Sequence, residues 1–118
     1  MALNVAQPLV QAGLLGEAID AGPALVFVAD ENMRYVAVNE TACTELGYSR
    51  EELIGMRITD VAGTADAGAV YESMVAAGTA GGRTTIVRKD GTTLEIEYRA
   101  SRVTVAQMPF YVSVGLRI

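Results

Sequence analysis

Gly47-Tyr48-Ser49-Arg50-Glu51-Glu52-Leu53-Ile54-Gly55 is the stretch that decides the fold of this 118-residue chain. Ser49 can accept a hydrogen bond from the backbone N–H of Glu52, and the Glu52 carboxylate can accept one from the N–H of Ser49. That reciprocal pair is a capping box, and it starts a short helix. Leu53 and Ile54 are expected to point inward. Gly55 can adopt the left-handed conformation that ends the turn. The stretch therefore reads as a loop, a capped single-turn helix pinned to a core, and a stop.

Composition bounds the rest. A chain of this length is one domain with one core. Hydrophobic residues make up 51% of it and the mean hydropathy is +0.29, so disorder is excluded and apolar surface is in surplus. That surplus must go into a thick core, a cavity or a subunit interface. The net charge is −5, and the nine basic residues form no stripe. Nucleic acid and anionic membrane are thereby disfavoured as partners. The single cysteine, Cys43, excludes an internal disulfide and a cysteine zinc cluster. With no histidine, the commonest general base, metal ligand and haem ligand are missing.

Residues 1–16 are uncharged, but no basic n-region precedes them, so they do not read as a signal peptide. No segment reaches the ~18–20 apolar residues of a membrane span. The chain reads as soluble and cytoplasmic. Residues from about 5 to 20 are expected to form an amphipathic helix, with Val10, Leu14, Leu15, Ala18 and Ile19 in one stripe and Gly22-Pro23 ending it. The stripe either packs on its own domain or on a second copy.

Ala24–Ala29 and Arg34–Val38 read as two strands joined by the turn residues Asp30-Glu31-Asn32. Asn39 is an N-cap for a helix whose inner face is Ala42, Cys43 and Leu46, closed by Gly47. Met56–Val61 reads as irregular. Thr64 is expected to cap a further helix, with Asp66 in its first turn and the stripe Val70, Tyr71, Met74 and Val75. Gly78, Gly81 and Gly82 read as a flexible link. Arg83–Arg88 and Thr92–Arg102 form a hairpin about Lys89-Asp90-Gly91, with Leu94, Ile96, Tyr98 and Ala100 inward. Pro109 precedes a last strand, Phe110–Leu116. Strands, then helices, then strands give an α+β domain. The expected architecture is a five-stranded antiparallel sheet with helices on one face and an N-terminal flanking helix.

That order and these motifs resemble the PAS domain family over residues 24–118. Asp30 and Asn39 stand where the family has an acidic turn residue and a strand-ending Asn. Gly47–Gly55 is similar to its central signature, and Lys89-Asp90-Gly91 to its late hairpin. The family often has Gly where this chain has Met33, so a wider first turn is expected. The resemblance divides the chain into residues 1–22, a helix serving as cap or dimerisation element, and 23–118, the PAS domain. It implies a sensory module of bacterial signalling proteins, including two-component systems. Such a module works as a homodimer tied to an effector such as a kinase or cyclase, at either end of the domain and outside this sequence.

The resemblance also implies a ligand pocket between sheet and helices. Carried over by position, it would be lined from the first two strands by Phe27, Val36 and Val38. Ala42, Leu46, Ile58, Val61, Val70 and Met74 would come from the helices. Ile96, Tyr98, Val112 and Val114 would close it from the last strands. Each of these also reads as plain core. Val10, Leu14, Leu15 and Ala18 would form the dimer interface.

No cofactor is expected with certainty. Haem held by His is disfavoured, and Met74 and Cys43 read as core. A photoactive flavin needs a Cys after Gly55, and none follows. A coumaryl chromophore needs one where Ala65 stands. Dicarboxylates need inward basic groups, whereas Arg99 and Arg88 are expected to be exposed. What remains is an apolar pocket with polar handles among Tyr98, Tyr48, Thr41 and Ser113, suited to a fatty acyl chain or a small aromatic molecule. A ligand-free interaction module is the competing reading. An isomerase using Asp60 as base and Tyr98 as oxyanion donor is a weaker one. The chain is not expected to be an enzyme and no metal site is expected.

Overall fold

The computed structural model describes residues 7–63 and 67–118. The expected cap Thr64, the first-turn Asp66, the aligned Ala65 and residues 5 and 6, where the N-terminal helix is expected to begin, lie outside the described residues. The elements run α1 (Pro8–Asp20), β1 (Leu25–Ala29), β2 (Tyr35–Val38), α2 (Glu40–Leu46) and α3 (Arg50–Leu53). They continue α4 (Ile58–Val61), α5 (Ala67–Ala77), β3 (Thr79–Val87), β4 (Thr93–Val105) and β5 (Met108–Arg117). All pairings are antiparallel, in one five-stranded sheet ordered β2-β1-β5-β4-β3. The early hairpin and the late meander join where β1 pairs with β5. No helix among the described residues is long and apolar enough to cross a membrane.

The capping box is present. Glu52 N–H donates to Ser49 Oγ at 3.1 Å and Ser49 N–H to Glu52 Oε1 at 3.0 Å. Leu53 is fully buried and Gly55 is left-handed at φ 91°. Ile54 instead faces out, because the helix stops at Leu53 and Ile54 is already extended. From Gly55 the chain runs along the free edge of β2. Gly55 N–H donates to the Tyr35 carbonyl, Tyr35 N–H to Met56, and Ile58 N–H to Met33. Residues 56–61 are thereby ordered rather than irregular, and they end in the single turn α4. Asp60 closes that turn by accepting from Arg57 N–H at 2.8 Å.

The first hairpin is tight, not widened. Met33 takes the left-handed conformation at φ 64°, at a cost of roughly 1–2 kcal/mol. Two bonds hold it there: the Asp30 carboxylate accepts from the N–H groups of Asn32 and Arg34. The Met33 side chain also packs against the core.

Gly81 and Gly82 are not a link. They belong to β3, paired with Arg99 and Tyr98. β4 and β5 run further than expected, so Pro109 lies inside β5 and the two strands meet in the turn Ala106-Gln107. Arg88 is half-buried, its guanidinium donating to the Glu45 carbonyl at 2.9 Å. Cys43 is half-buried against the core, and burial raises its thiol pKa.

Asn39 organises the junction between α1, β1 and α2. Its carboxamide oxygen accepts from Val26 N–H and Ala42 N–H, both at 3.0 Å. Its amide nitrogen donates to the carbonyls of Ile19 and Ala24, both at 2.8 Å. Asp20 adds bonds from the Glu40 N–H and the Arg50 guanidinium. The base of α1 is therefore fixed by polar contacts, while no residue of α1 is buried.

Candidate ligand cavity

Side-chain parity on the sheet decides which residues meet the helices. On β1, Leu25, Phe27 and Ala29 are buried. Their β5 partners are Gly115, Ser113 and Tyr111, which therefore share the inner face. On β4 the inner set is Leu94, Ile96, Tyr98 and Ala100, as alternation predicts. At Gly115 an added Cβ would lie 2.9 Å from Ile96 Cδ1, so the glycine admits the Ile96 side chain.

Between this face and α5 lies a cavity of about 290 Å³. β1 and β2 contribute Phe27, Ala29 and Tyr35. Ile58, Val61 and Ala62 come from α4 and its end, and Val70, Tyr71 and Met74 from α5. β3 supplies Ala80, Arg83, Thr84 and Ile86 along one side. Ile96, Tyr98 and Ala100 of β4 and Tyr111 and Ser113 of β5 complete it.

Of the residues expected in the pocket, Phe27, Ile58, Val61 and Val70 line it, as do Met74, Ile96 and Tyr98. Val38, Ala42 and Leu46 are buried beside it without reaching it. Val36 faces solvent, 41% exposed, because the β1–β2 register shifts between Val28 and Ala29. The bulge turns Tyr35 inward and Val36 outward. Val112 and Val114 lie on the outer face of β5, opposite in parity to Tyr111 and Ser113. Of the polar handles, Tyr98 and Ser113 reach the cavity. Tyr48 instead lies under the Lys89 ammonium, 5.8 Å from its ring centroid, and Thr41 donates to the Gly22 carbonyl. Asp60 is exposed and does not line the cavity with Tyr98.

Sequence reasoning missed Tyr35, Tyr111 and Thr84 as lining residues, and kept Tyr71 only as part of a helical stripe. The available signal was the alternation of β5, whose Tyr111, Ser113 and Gly115 make a set distinct from the valines. Two ring pairs run through the wall: Phe27 with Tyr35, centroids 5.2 Å apart, and Tyr71 edge-on to Tyr111 at 5.5 Å. The Tyr71 hydroxyl donates to the Asp30 carbonyl at 2.6 Å. Burial, with the neighbouring Tyr111 and Asp30, pushes the Tyr71 pKa well above the ordinary phenol range. Burial does the same to Tyr35, with smaller effects from Tyr71 and Asp60. Both stay neutral at physiological pH and can act as hydrogen-bond donors.

The expected dimer residues Leu14, Leu15 and Ala18 are exposed on α1, and Val10 is partly covered. Among the described residues no group of three or more His, Cys, Asp or Glu is placed to hold a metal.

The fold has close parallels among solved structures. The PAS domain of an HTR-like protein from Haloarcula marismortui superimposes with a TM-score of 0.82 at 22% identity, covering 92% of each chain. A PAS domain from a two-component sensor histidine kinase gives 0.81 at 18% identity, covering 95% of this chain and 100% of that one. The PAS domain of a Colwellia psychrerythraea protein gives 0.79 at 21%, covering 92% and 97%. No curated protein matches the chain. The PAS domain family model matches residues 23–115, from just before β1 to Gly115 near the end of β5. With that match spanning β1 to β4, most of β5 and α2 to α5, the chain belongs to the PAS domain family.

Proposed function

We propose that this chain is the sensory input module of a cytoplasmic signalling protein, binding a small apolar ligand in the cavity between α5 and the sheet. The observation that supports this is the cavity itself, about 290 Å³ inside a close-packed domain. Protein interiors hold few voids larger than a water molecule. The cavity is partly open; sealed and empty, a void of that size would forfeit roughly 7 kcal/mol at ~24 cal/mol per Å³. That is comparable to the whole stability of a domain, about 5–15 kcal/mol. A ligand that fills the space recovers part of it. The volume sits at the small end of ligand pockets, roughly 300–1,000 Å³.

The signal would leave as a population shift. A ligand that packs between α5 and the sheet changes an equilibrium only if it binds two packings with different affinity, about tenfold for every 1.4 kcal/mol. The fixed base of α1 is the candidate lever, and an effector such as a kinase or cyclase the candidate reader. A sensor histidine kinase supplies one of the similar PAS domains. Native mass spectrometry of protein purified from cells tests the reading. A stoichiometric small-molecule adduct is expected. An apo mass in protein that binds no added small molecule contradicts it.

A second reading, dimerisation through α1, is favoured by one observation. Leu9, Leu14, Leu15 and Ile19 are at least half exposed, and so is Leu116 on the outer sheet face. Burying four such side chains contributes roughly 6–12 kcal/mol. Association costs about 4–15 kcal/mol, so the helix alone is marginal and the sheet face is needed too. Leu14→Glu with Leu15→Glu should convert a sedimenting dimer to monomer. A monomeric parent at micromolar concentration contradicts the dimer.

A further inference from the structure

Four of the chain's five tyrosines, Tyr35, Tyr71, Tyr98 and Tyr111, converge on the cavity, together with the ring of Phe27. Tyr71 commits its hydroxyl to the Asp30 carbonyl. The hydroxyls of Tyr35, Tyr98, Tyr111, Thr84 and Ser113 have no hydrogen-bond partner among the described residues. Yet no polar side-chain atom among those residues is sealed from accessible space without a partner. Tyr35 and Tyr111 are only 5% and 3% exposed, and both line the cavity.

The cavity is also nearly uncharged. No carboxylate lines it among the described residues, and its one cation, Arg83, is exposed and faces Glu97 across the β3–β4 ladder.

Resting on the reading that this cavity is a ligand site, we propose that it takes a compact, uncharged planar aromatic molecule. The molecule has one or two fused rings and at least one hydrogen-bonding oxygen or nitrogen. Three physical arguments select that class. An apolar cavity of ~150 Å³ holds benzene, and this one is about twice that, so two fused rings fit and a flavin with its side chain does not. The aromatic wall gains edge-to-face and offset contacts from a planar ring that an acyl chain cannot offer. An acyl chain would also strip water from the unpartnered hydroxyls and return nothing, whereas a polar ring atom pairs with them.

The experiment titrates the folded domain with 2-naphthol, naphthalene and decanoic acid, followed by NMR. 2-Naphthol is expected to bind roughly tenfold more tightly than naphthalene, the worth of one satisfied hydrogen bond. Decanoic acid is expected not to displace it. At least one of Tyr35→Phe, Tyr98→Phe and Tyr111→Phe should weaken 2-naphthol about fivefold or more while leaving naphthalene within about twofold. Equal affinity for 2-naphthol and naphthalene, or all three variants binding 2-naphthol like the parent, overturns the polar part of the proposal. Decanoic acid binding where neither aromatic does overturns the ligand class and leaves the ligand site standing. Binding of none of the three, in protein that is natively folded and free of any co-purified mass, overturns both.

Discussion

The Tyr71 hydroxyl, on α5, donates a 2.6 Å hydrogen bond to the backbone carbonyl of Asp30, at the end of β1. That bond ties the helix over the cavity to the turn that begins the β2 edge. The Asp30 carbonyl also accepts from Met33 N–H, so removing the hydroxyl leaves it one partner. Tyr71→Phe should therefore cost only about 1 kcal/mol, the worth of one neutral hydrogen bond. Urea denaturation measures it. A loss near zero would mean that α5 is held by packing alone.

Asn39 should be far less replaceable. It is 4% exposed, and four backbone groups depend on its side chain. Each buried group left unpaired costs about 1–3 kcal/mol, partly relieved by water. Asn39→Ala is expected to lower stability by roughly 3–5 kcal/mol, more than a simple N-cap loss of ~1 kcal/mol. A measured loss of only ~1 kcal/mol would show that the bonds to Ile19 and Ala24 contribute nothing net.

These two bonds mark what the sequence could and could not disclose. The Ser49–Glu52 box and the Asn39 cap are encoded within three residues and were legible. The other partners of Asn39 lie 13 to 20 residues away and depend on the fold. On β4 the alternation of apolar and charged residues fixed the inner face. β5 offers no such contrast. From Met108 to Leu116 both its faces are uncharged, and the more apolar one, Val112, Val114 and Leu116, points outward while Ser113 and Gly115 point in. Hydrophobicity favoured the wrong parity there. On β2 a bulge reversed the parity of Val36, which no alternation rule anticipates. At Gly81-Gly82 low strand propensity suggested a link, but pairing with β4 overrides it.

The β4–β5 turn carries avoidable strain. Ala106 and Gln107 both have positive φ, 50° and 65°. A two-residue turn of this kind prefers Asn-Gly. Ala106→Asn combined with Gln107→Gly should raise stability by about 1–2 kcal/mol, because both positions are exposed and lose no packing. Thermal unfolding would register this as a higher midpoint, and an unchanged or lower one would contradict it.

Acid should destabilise the domain through its turns. A hydrogen bond from Lys89, with the Ser49 N–H, lowers the Glu52 pKa, and bonds from Thr92 lower that of Asp90. Both folded-state values therefore lie below those of the unfolded chain, about 4.3 for Glu and 3.9 for Asp. Below those values the unfolded state binds protons first, so stability falls with falling pH until the folded carboxylates protonate too. Glu52→Gln should flatten the stability profile below about pH 4.3. An identical profile in the variant would remove Glu52 from the account.

Whether the space between α5 and the sheet is open to small molecules decides whether this domain can sense one. Xenon tests it without presuming a ligand, since it enters apolar cavities of ~150 Å³ and more. Methyl NMR spectra of the domain would be recorded under xenon pressure. Saturable shifts are expected at Ile58, Val61, Met74 and Ile96, which line the cavity, and none at Val36, Val112 or Val114, which do not. No response at the lining methyls would mean a filled core, and shifts confined to the outer valines would place the accessible apolar surface on the wrong face of the sheet.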